Sequence, residues 1–183
     1  PAHRLLVAAL QSPSFGSNVL SVEHQAALRL IVLRMTQMAY GLRVERLAIP
    51  LGTGLGKSTS VLFWLKAVND LGLLVRLSIA VCCSRILALN ELRRDLVNAG
   101  VPADLVSGFH SEHTEADPVD LDGENRPILL TTHANTKGAK PQVLTGFKGA
   151  PRSFVIWDEN MQVSKATAVR WDDFHYEMPS LLA

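Results

Sequence analysis

A glycine-rich loop constrains the fold of this chain more than any other feature. The stretch GTGLGKST, residues 52–59, follows the apolar run VERLAIPL and precedes a segment with helical spacing of apolar residues at Val61, Leu62, Leu65 and Val68. Its three glycines allow a close backbone approach to a polyphosphate, and the N–H groups that begin the following helix then point at negative charge. The stretch therefore predicts a phosphate-binding loop between a strand and a helix.

The residues of this loop have distinct predicted roles. Lys57 would neutralise the β- and γ-phosphates of ATP, and the Ser58 hydroxyl would face Mg²⁺. The residues predicted to contact the nucleotide are Gly52, Thr53, Gly54, Leu55, Gly56, Lys57, Ser58 and Thr59. Leu51 stands where glycine or alanine is usual, but the cradle begins at Gly52, so this is a minor variation. A glycine-rich turn that merely precedes a helix is the alternative.

Strands and helices alternate along the rest of the sequence. Apolar runs at 73–83, 103–109, 127–132 and 153–159 are typical of strands. Residues 84–100 are predicted to form an amphipathic helix with Ser84 as its N-cap and Gly100 at its end. Such alternation indicates an α/β fold, a three-layer sandwich with a mostly parallel central sheet.

One N-terminal segment is predicted to be a mostly buried helix. Residues 22–40 carry a broad apolar stripe, followed by Gly41 as the stop. The stripe consists of Val22, Ala26, Leu30, Leu33 and Ala39. The whole chain, 1–183, is then expected to be one domain, with a helical lead-in at 1–42 and a motif-bearing core at 43–163.

Composition excludes several classes of protein. With 48% hydrophobic and 19% charged residues, the chain is too apolar to be intrinsically disordered. Its 18 basic and 17 acidic residues nearly cancel, so any nucleic acid must be held locally. Two adjacent cysteines, Cys82 and Cys83, suit packing residues of a reduced, cytoplasmic protein. We expect no membrane association, because no apolar run approaches the roughly 20 residues of a membrane span.

A second candidate site follows the last predicted strand. In FVIWDEN, Asp158 and Glu159 come directly after four apolar residues. In open α/β sheets, ligands bind at the carboxyl ends of the strands. Asp158 would hold Mg²⁺, partly through water, and Glu159 would polarise the attacking water as general base. The alternative is that these acids are ordinary surface residues at a strand end.

Together these motifs resemble those of a known group of enzymes. The pattern Thr53-Gly54-x-Gly56-Lys57-Ser58, with Asp158-Glu159 placed 101 residues after Lys57, resembles motifs I and II of superfamily 1 and 2 helicases and translocases. The likeness to DEAD- and DEAH-like members of superfamily 2 implies a RecA-like P-loop NTPase architecture and ATP hydrolysis, with catalytic roles for Lys57, Asp158 and Glu159. Met161 in DENM departs from both DEAD and DEAH.

The resemblance also implies sites for nucleic acid and adenine. LSIAVCCSRILALNELRRDL is similar to motif Ia, which implies that Ser84 and Arg85 touch a DNA or RNA backbone. PILLTTHAN is similar to a later segment with the same role, which involves Thr131, Thr132 and His133. For both segments, a helix cap or a strand-end hydrogen bond is an equal alternative.

One further residue belongs to this resemblance. Gln25, 32 residues before Lys57, resembles the glutamine that reads adenine in many superfamily 2 members. A glutamine on a helix surface also needs no special role.

The same resemblance implies a missing half. Family members have a second RecA-like domain that supplies an arginine finger, and this chain ends soon after motif II. We therefore expect a fragment of a longer helicase-like protein, with weak ATP hydrolysis when isolated. The alternatives are an AAA-type ATPase, a small-molecule kinase, or a nucleotide-binding switch without turnover.

Two charged stretches lie between the motifs. Residues 110–126 are rich in acids and are predicted to form a surface loop. A metal site of His110, His113 and Asp117 is disfavoured because their spacing matches no standard site. Residues 137–152 contain only basic charges, which favours an exposed loop over a phosphate-tracking surface. These charges belong to Lys137, Lys140, Lys148 and Arg152.

Overall fold

A computed structural model describes residues 2–12, 19–43, 48, 54–110, 125–136 and 146–158. The helices are α1 (Ala2–Leu10), α2 (Val22–Ala39), α3 (Lys57–Asp70), α4 (Ile86–Asn98) and α5 (His133–Thr136). The strands are β1 (Ile79–Cys83), β2 (Val106–Phe109), β3 (Ile128–Thr132), β4 (Gly146–Phe147), β5 (Ala150–Pro151) and β6 (Phe154–Trp157).

The main sheet within the described residues is parallel. Its four strands lie in the order β2–β3–β1–β6, and Ile79 of β1 faces Ile128 on one side and Phe154 on the other. Strands β4 and β5 form a separate antiparallel pair. The predicted α/β fold with a mostly parallel sheet is confirmed. The strand predicted at 44–51, before the glycine-rich loop, falls outside the described residues except for position 48.

Strand β1 is buried on both faces, as its apolar sequence predicts. Ile79, Val81 and Cys83 point into the large hydrophobic core formed with helices α1–α4. Ala80 and Cys82 point the opposite way and pack with Leu129 of β3. Side chains alternate between the two faces of a strand, so a strand covered on both sides needs an uninterrupted apolar run.

Helices α1 and α2 make up most of the described part of the N-terminal segment, and both pack on α3. Helix α1 contacts both α2 and α3. Ser21 caps α2 by accepting a hydrogen bond from the His24 N–H, and Gly41 ends it with a positive φ of 66°. The Trp64 indole N–H donates to the Thr36 hydroxyl over 3.0 Å and joins α3 to α2. No helix among the described residues has both the length and the apolar character that crossing a membrane requires.

The prediction that α2 is mostly buried is wrong. Of the predicted stripe only Ala39 is buried, whereas Val22, Leu30 and Leu33 are exposed. The face that packs on the core carries Leu28, Ile31, Met35 and Ala39. Apolar residues surround most of this helix, so periodicity alone does not select the inner face. The positions of α1 and α3 decide it.

Three predicted element starts are also wrong. The strand predicted at 103–109 begins only at Val106, after a short 3₁₀ helix at Ala103–Leu105. Residues Leu73–Val75 form a short 3₁₀ helix after the left-handed Gly72, so the strand predicted at 73–83 begins only at Ile79. Helix α4 has Arg85, not Ser84, as its N-cap, and the extended Arg85 makes no side-chain capping hydrogen bond. Because β1 runs to Cys83, Ser84 lies in the turn between strand and helix.

The basic stretch at 137–152 is not simply an exposed loop. Arg152 is buried, and its Nη1 donates to the backbone oxygens of Arg126 and Pro127 at 3.1 and 3.3 Å. Burial lowers the pKa of this guanidinium to about 10. Lys148 lies in the exposed β4–β5 turn with its ammonium 5.3 Å from the centre of the Phe147 ring. Lys137 and Lys140 lie outside the described residues.

Candidate functional site

The described end of the glycine-rich loop has a backbone that favours glycine. Gly54 and Gly56 have φ values of 76° and 83°, in the left-handed region. Gly56 directly precedes α3, and its carbonyl oxygen accepts hydrogen bonds from the Ser60 N–H at 2.8 Å and the Ser60 hydroxyl at 2.6 Å. A Cβ at Gly56 would lie 3.2 Å from Leu10 Cδ1. The backbone conformation therefore favours glycine at this position, and a side chain there would also be in tight contact with Leu10.

The second half of the site comes from the end of β6. Asp158 directly follows this strand, and its N–H donates to the Cys82 carbonyl oxygen of β1 over 2.9 Å. This bond extends the parallel pairing of β1 with β6 by one residue and fixes the direction in which Asp158 leaves the sheet. The carboxylate therefore lies at the carboxyl edge, where ligands of open α/β sheets bind.

The two halves meet in one hydrogen bond. The Ser58 hydroxyl, in the first turn of α3, donates to Asp158 Oδ2 over 2.8 Å across a separation of 100 residues. Lys57, the first residue of α3, is half-buried at the same helix end. The structure thus brings together Ser58 and Asp158, which the sequence assigned to Mg²⁺.

This arrangement can hold a phosphate with a hard cation. Mg²⁺ prefers oxygen ligands and is usually bound by one or two protein oxygens together with substrate phosphates. The Ser58 hydroxyl and the Asp158 carboxylate supply such oxygens, and both are near the protein surface. The amino end of α3 adds N–H groups and a positive dipole for the phosphates. The donor set therefore fits a magnesium ion.

A cleft of about 250 Å³ lies beside this hydrogen bond, between α3 and α4. Its lining residues are Ser58, Thr59, Val61, Leu62, Cys83, Ser84, Arg85, Ala88, Glu91, Leu92, Asp95 and Asp158. Ser84 and Arg85 therefore share one cleft with the predicted magnesium ligands. The lining carries three carboxylates but only one guanidinium, so the cleft interior is a poor place for a polyanion. Phosphates would lie at the helix end.

Two of the other residues predicted to touch nucleic acid contact the backbone of a neighbouring strand. The Thr131 hydroxyl donates to the Phe109 carbonyl oxygen over 2.8 Å and ties β3 to β2. His133 Nε2 lies 3.0 Å from the Cys82 carbonyl oxygen, and its ring centre is 5.3 Å from that of Trp157. Thr132 is buried. These three residues are not among those that line the cleft.

Gln25 lies on α2 and uses its side chain locally. Its Nε2 donates to the Leu20 carbonyl oxygen over 3.1 Å. The neighbouring His24 reaches the loop instead, with Nε2 3.0 Å from the Leu55 carbonyl oxygen. The contact of His24 could not be predicted from the sequence, because it depends on how α2 packs beside the loop. No motif or spacing signals it.

Several predicted residues lie outside the described part of the chain. These are Gly52, Thr53, Glu159, His113 and Asp117. His110 is described and buried. Within the described ranges, no three His, Cys, Asp or Glu residues form a group that could hold a metal ion.

The two cysteines are free thiols that pack in the interior, on opposite faces of β1. Burial and, to a smaller extent, the neighbouring Cys83 raise the pKa of the Cys82 thiol to about 12. The thiolate is the reactive form, so Cys82 is unreactive at neutral pH. Cys83 forms part of the cleft wall, a position the sequence did not predict.

Comparison with protein families and with curated proteins finds no relative of this chain. No protein-family model matches this chain, and no curated protein is similar enough to be counted as a match.

Proposed function

We propose that this chain binds ATP with Mg²⁺ and is the nucleotide-binding domain of a helicase-like, nucleic-acid-dependent ATPase. The hydrogen bond between Ser58 and Asp158 carries the proposal. These residues come from two motifs 100 residues apart, and nothing local forces them to meet. A phosphate loop and a magnesium-binding acid must converge in this way if they serve one nucleotide.

In this proposal each residue has one task. Lys57 and the first N–H groups of α3 bind the β- and γ-phosphates, and the left-handed Gly54 and Gly56 allow the backbone to approach them. Ser58 and Asp158 would hold Mg²⁺, which when bound neutralises charge on the phosphates. Glu159 would accept a proton from the attacking water as general base.

The finer architecture belongs to the same proposal. A parallel sheet whose central strand β1 lies beside β6 places a turn, Ser84–Arg85, and an acid, Asp158, at one edge. The glycine-rich loop reaches the same edge through Ser58. These features support a three-layer, RecA-like P-loop NTPase domain, which would pair with a second RecA-like domain.

Coupling to DNA or RNA is proposed through the turn Ser84–Arg85, where both residues are exposed, and not through the acidic interior of the cleft. Arg85 lines the cleft together with Ser58 and Asp158. A phosphate backbone held by Ser84 and Arg85 would be sensed at the magnesium site through the turn that begins α4. Thr131, Thr132 and His133 would extend that surface along the ends of β3.

Nucleotide binding is the first test. We expect a fluorescent ATP analogue to bind in the presence of Mg²⁺, with affinity reduced roughly tenfold or more by Lys57→Ala or Asp158→Asn. The matched controls are Lys66→Ala and Asp70→Asn, because these residues form an ion pair at 2.8 Å at the far end of the same helix. Equal losses from site and control variants would overturn the proposal.

Turnover is the second test. We expect Glu159→Gln to retain ATP binding and to lose phosphate release, since only the general base is removed. A nucleotide-binding switch would show little turnover in either form. Stimulation of phosphate release by DNA or RNA in the longer parent protein, lost in Arg85→Ala, would distinguish a helicase-like ATPase from a small-molecule kinase or an AAA-type ATPase.

A further inference from the structure

The outer face of α2 carries a regular stripe that takes no part in the core formed by the described residues. We call the residues Ala26, Leu30, Leu33, Gln37 and Tyr40 the outer stripe. Leu30, Leu33 and Tyr40 are 50%, 49% and 49% exposed. The positions follow one another by steps of four, three, four and three residues, which is the spacing of a helix seam that packs against one other helix.

This stripe is separate from the face that stabilises the fold. The buried residues Leu28, Ile31 and Met35 lie on the opposite side of α2 and belong to the main core. The Thr36 hydroxyl accepts the Trp64 indole hydrogen bond at the edge of that inner face. Helix α2 is therefore anchored without the outer stripe. Large apolar side chains exposed together on one helix face mark a site of association.

Two arginines border the outer stripe on opposite sides. Arg29 directly precedes Leu30, and Arg34 directly follows Leu33, so they occupy the positions that flank the seam in a pair of helices. Arg34 Nη1 donates to Gln37 Oε1 of the stripe over 3.1 Å, which holds the guanidinium beside the stripe. The charges next to the seam between positions 26 and 40 are thus positive.

We propose that the outer stripe of α2 is the docking surface for an amphipathic helix of a partner protein that carries Glu or Asp beside its apolar seam. Leu30 and Leu33 would form the apolar contact, and Arg29 and Arg34 would select carboxylates across it. A second copy of this chain fits poorly. In a parallel pair the residue five positions after Arg29 in the other helix is its Arg34, so like charges would face each other.

The test uses two helical peptides of about three heptads, with leucine at both seam positions. One has glutamate at the flanking positions and the other has lysine, and in each the like charges oppose self-pairing. We expect the glutamate peptide to bind the 183-residue chain roughly tenfold tighter than the lysine peptide, measured by fluorescence anisotropy at low salt.

Variants decide where the peptide binds. Arg29→Glu with Arg34→Glu should reverse the preference, and Leu30→Glu with Leu33→Glu should abolish binding of both peptides. Arg94→Glu, which reverses an exposed charge on α4, should change neither the preference between the peptides nor their binding. Circular dichroism checks that each variant stays folded. Equal affinity for both peptides, no binding of either, or a dimer in sedimentation that Leu33→Glu dissociates would each overturn the proposal.

Discussion

The two halves of the candidate site are built in different ways. Ser58 is placed locally, by the left-handed Gly56 and by the first turn of α3. Asp158 is placed by pairing of β6 with β1, strands distant in sequence. A local motif can be recognised in a sequence, whereas a strand-end acid gains meaning only from the neighbours it acquires in the sheet. The first half thus depends on backbone conformation and the second on register.

The largest loss of stability is expected from a substitution in the core beneath α3, the helix that carries Ser58. Leu65 is fully buried on α3, so Leu65→Ala should lower the free energy of unfolding by about 2–5 kcal/mol through lost burial and a residual cavity. Urea denaturation measures this change. The same substitution at the half-exposed Leu33 should cost less than about 0.5 kcal/mol. Similar losses at both positions would contradict the assigned faces of α2 and α3.

Substitutions of two glycines in the loop distinguish the energetic cost of backbone strain from that of tight packing. Gly54→Ala should cost about 1 kcal/mol, because it forces a side chain into the left-handed region with nothing within 4 Å of the new Cβ. Gly56→Ala should cost about 2 kcal/mol, since it adds the 3.2 Å contact with Leu10 Cδ1 to similar strain. Thermal or urea unfolding distinguishes them, and a smaller loss at Gly56 would show that Leu10 adjusts freely.

The paired strands β1 and β6, which place Asp158, should contribute less to stability at alkaline pH. The folded-state pKa of Cys82, about 12, is above the usual value of 9.0, so its stabilising contribution is complete below pH 9 and is lost as pH rises toward 12. Within that window we expect a loss of about 1 kcal/mol of unfolding free energy per pH unit. Urea melts at several pH values measure the slope, and Cys82→Ala should remove this part of it.

The smallest loss of stability should come from removing the hydrogen bond between Ser58 and Asp158, which joins the two halves of the site. Ser58→Ala removes a hydrogen bond near the surface, so the free energy of unfolding should change by less than about 1 kcal/mol. Its effect on Mg²⁺-dependent nucleotide affinity should be much larger if Ser58 is a magnesium ligand. A stability loss above that limit, with unchanged nucleotide affinity, would make the bond purely structural.

The sequence predicted those parts of the fold that local pattern determines. Helix α3 and the doubly buried strand β1 follow from apolar spacing and from an unbroken apolar run, and both are confirmed. The inner face of α2 was not predictable, because apolar residues occur around most of the helix. Nor was burial of Arg152, since a basic stretch carries no sign of which residue will turn inward to backbone carbonyls.

For the site, the sequence named Ser58 and Asp158 but not their surroundings. The likeness of two motifs was enough to pair them, and the structure brings them to 2.8 Å. The contact of His24 with the Leu55 carbonyl oxygen and the cleft wall at Cys83 come from packing between elements. Such contacts depend on how α2 and α4 dock, and no local pattern encodes docking.

The central place of β1 in the sheet also has a consequence for synthesis of the chain. Both of its hydrogen-bonding partners, β3 and β6, come later in the sequence, and β6 begins about 70 residues after Cys83. At ribosomal rates this strand would wait roughly 4–14 s for its last neighbour. An apolar strand with an unpaired edge is prone to intermolecular pairing. We therefore expect the nascent chain to need protection by a chaperone during this interval.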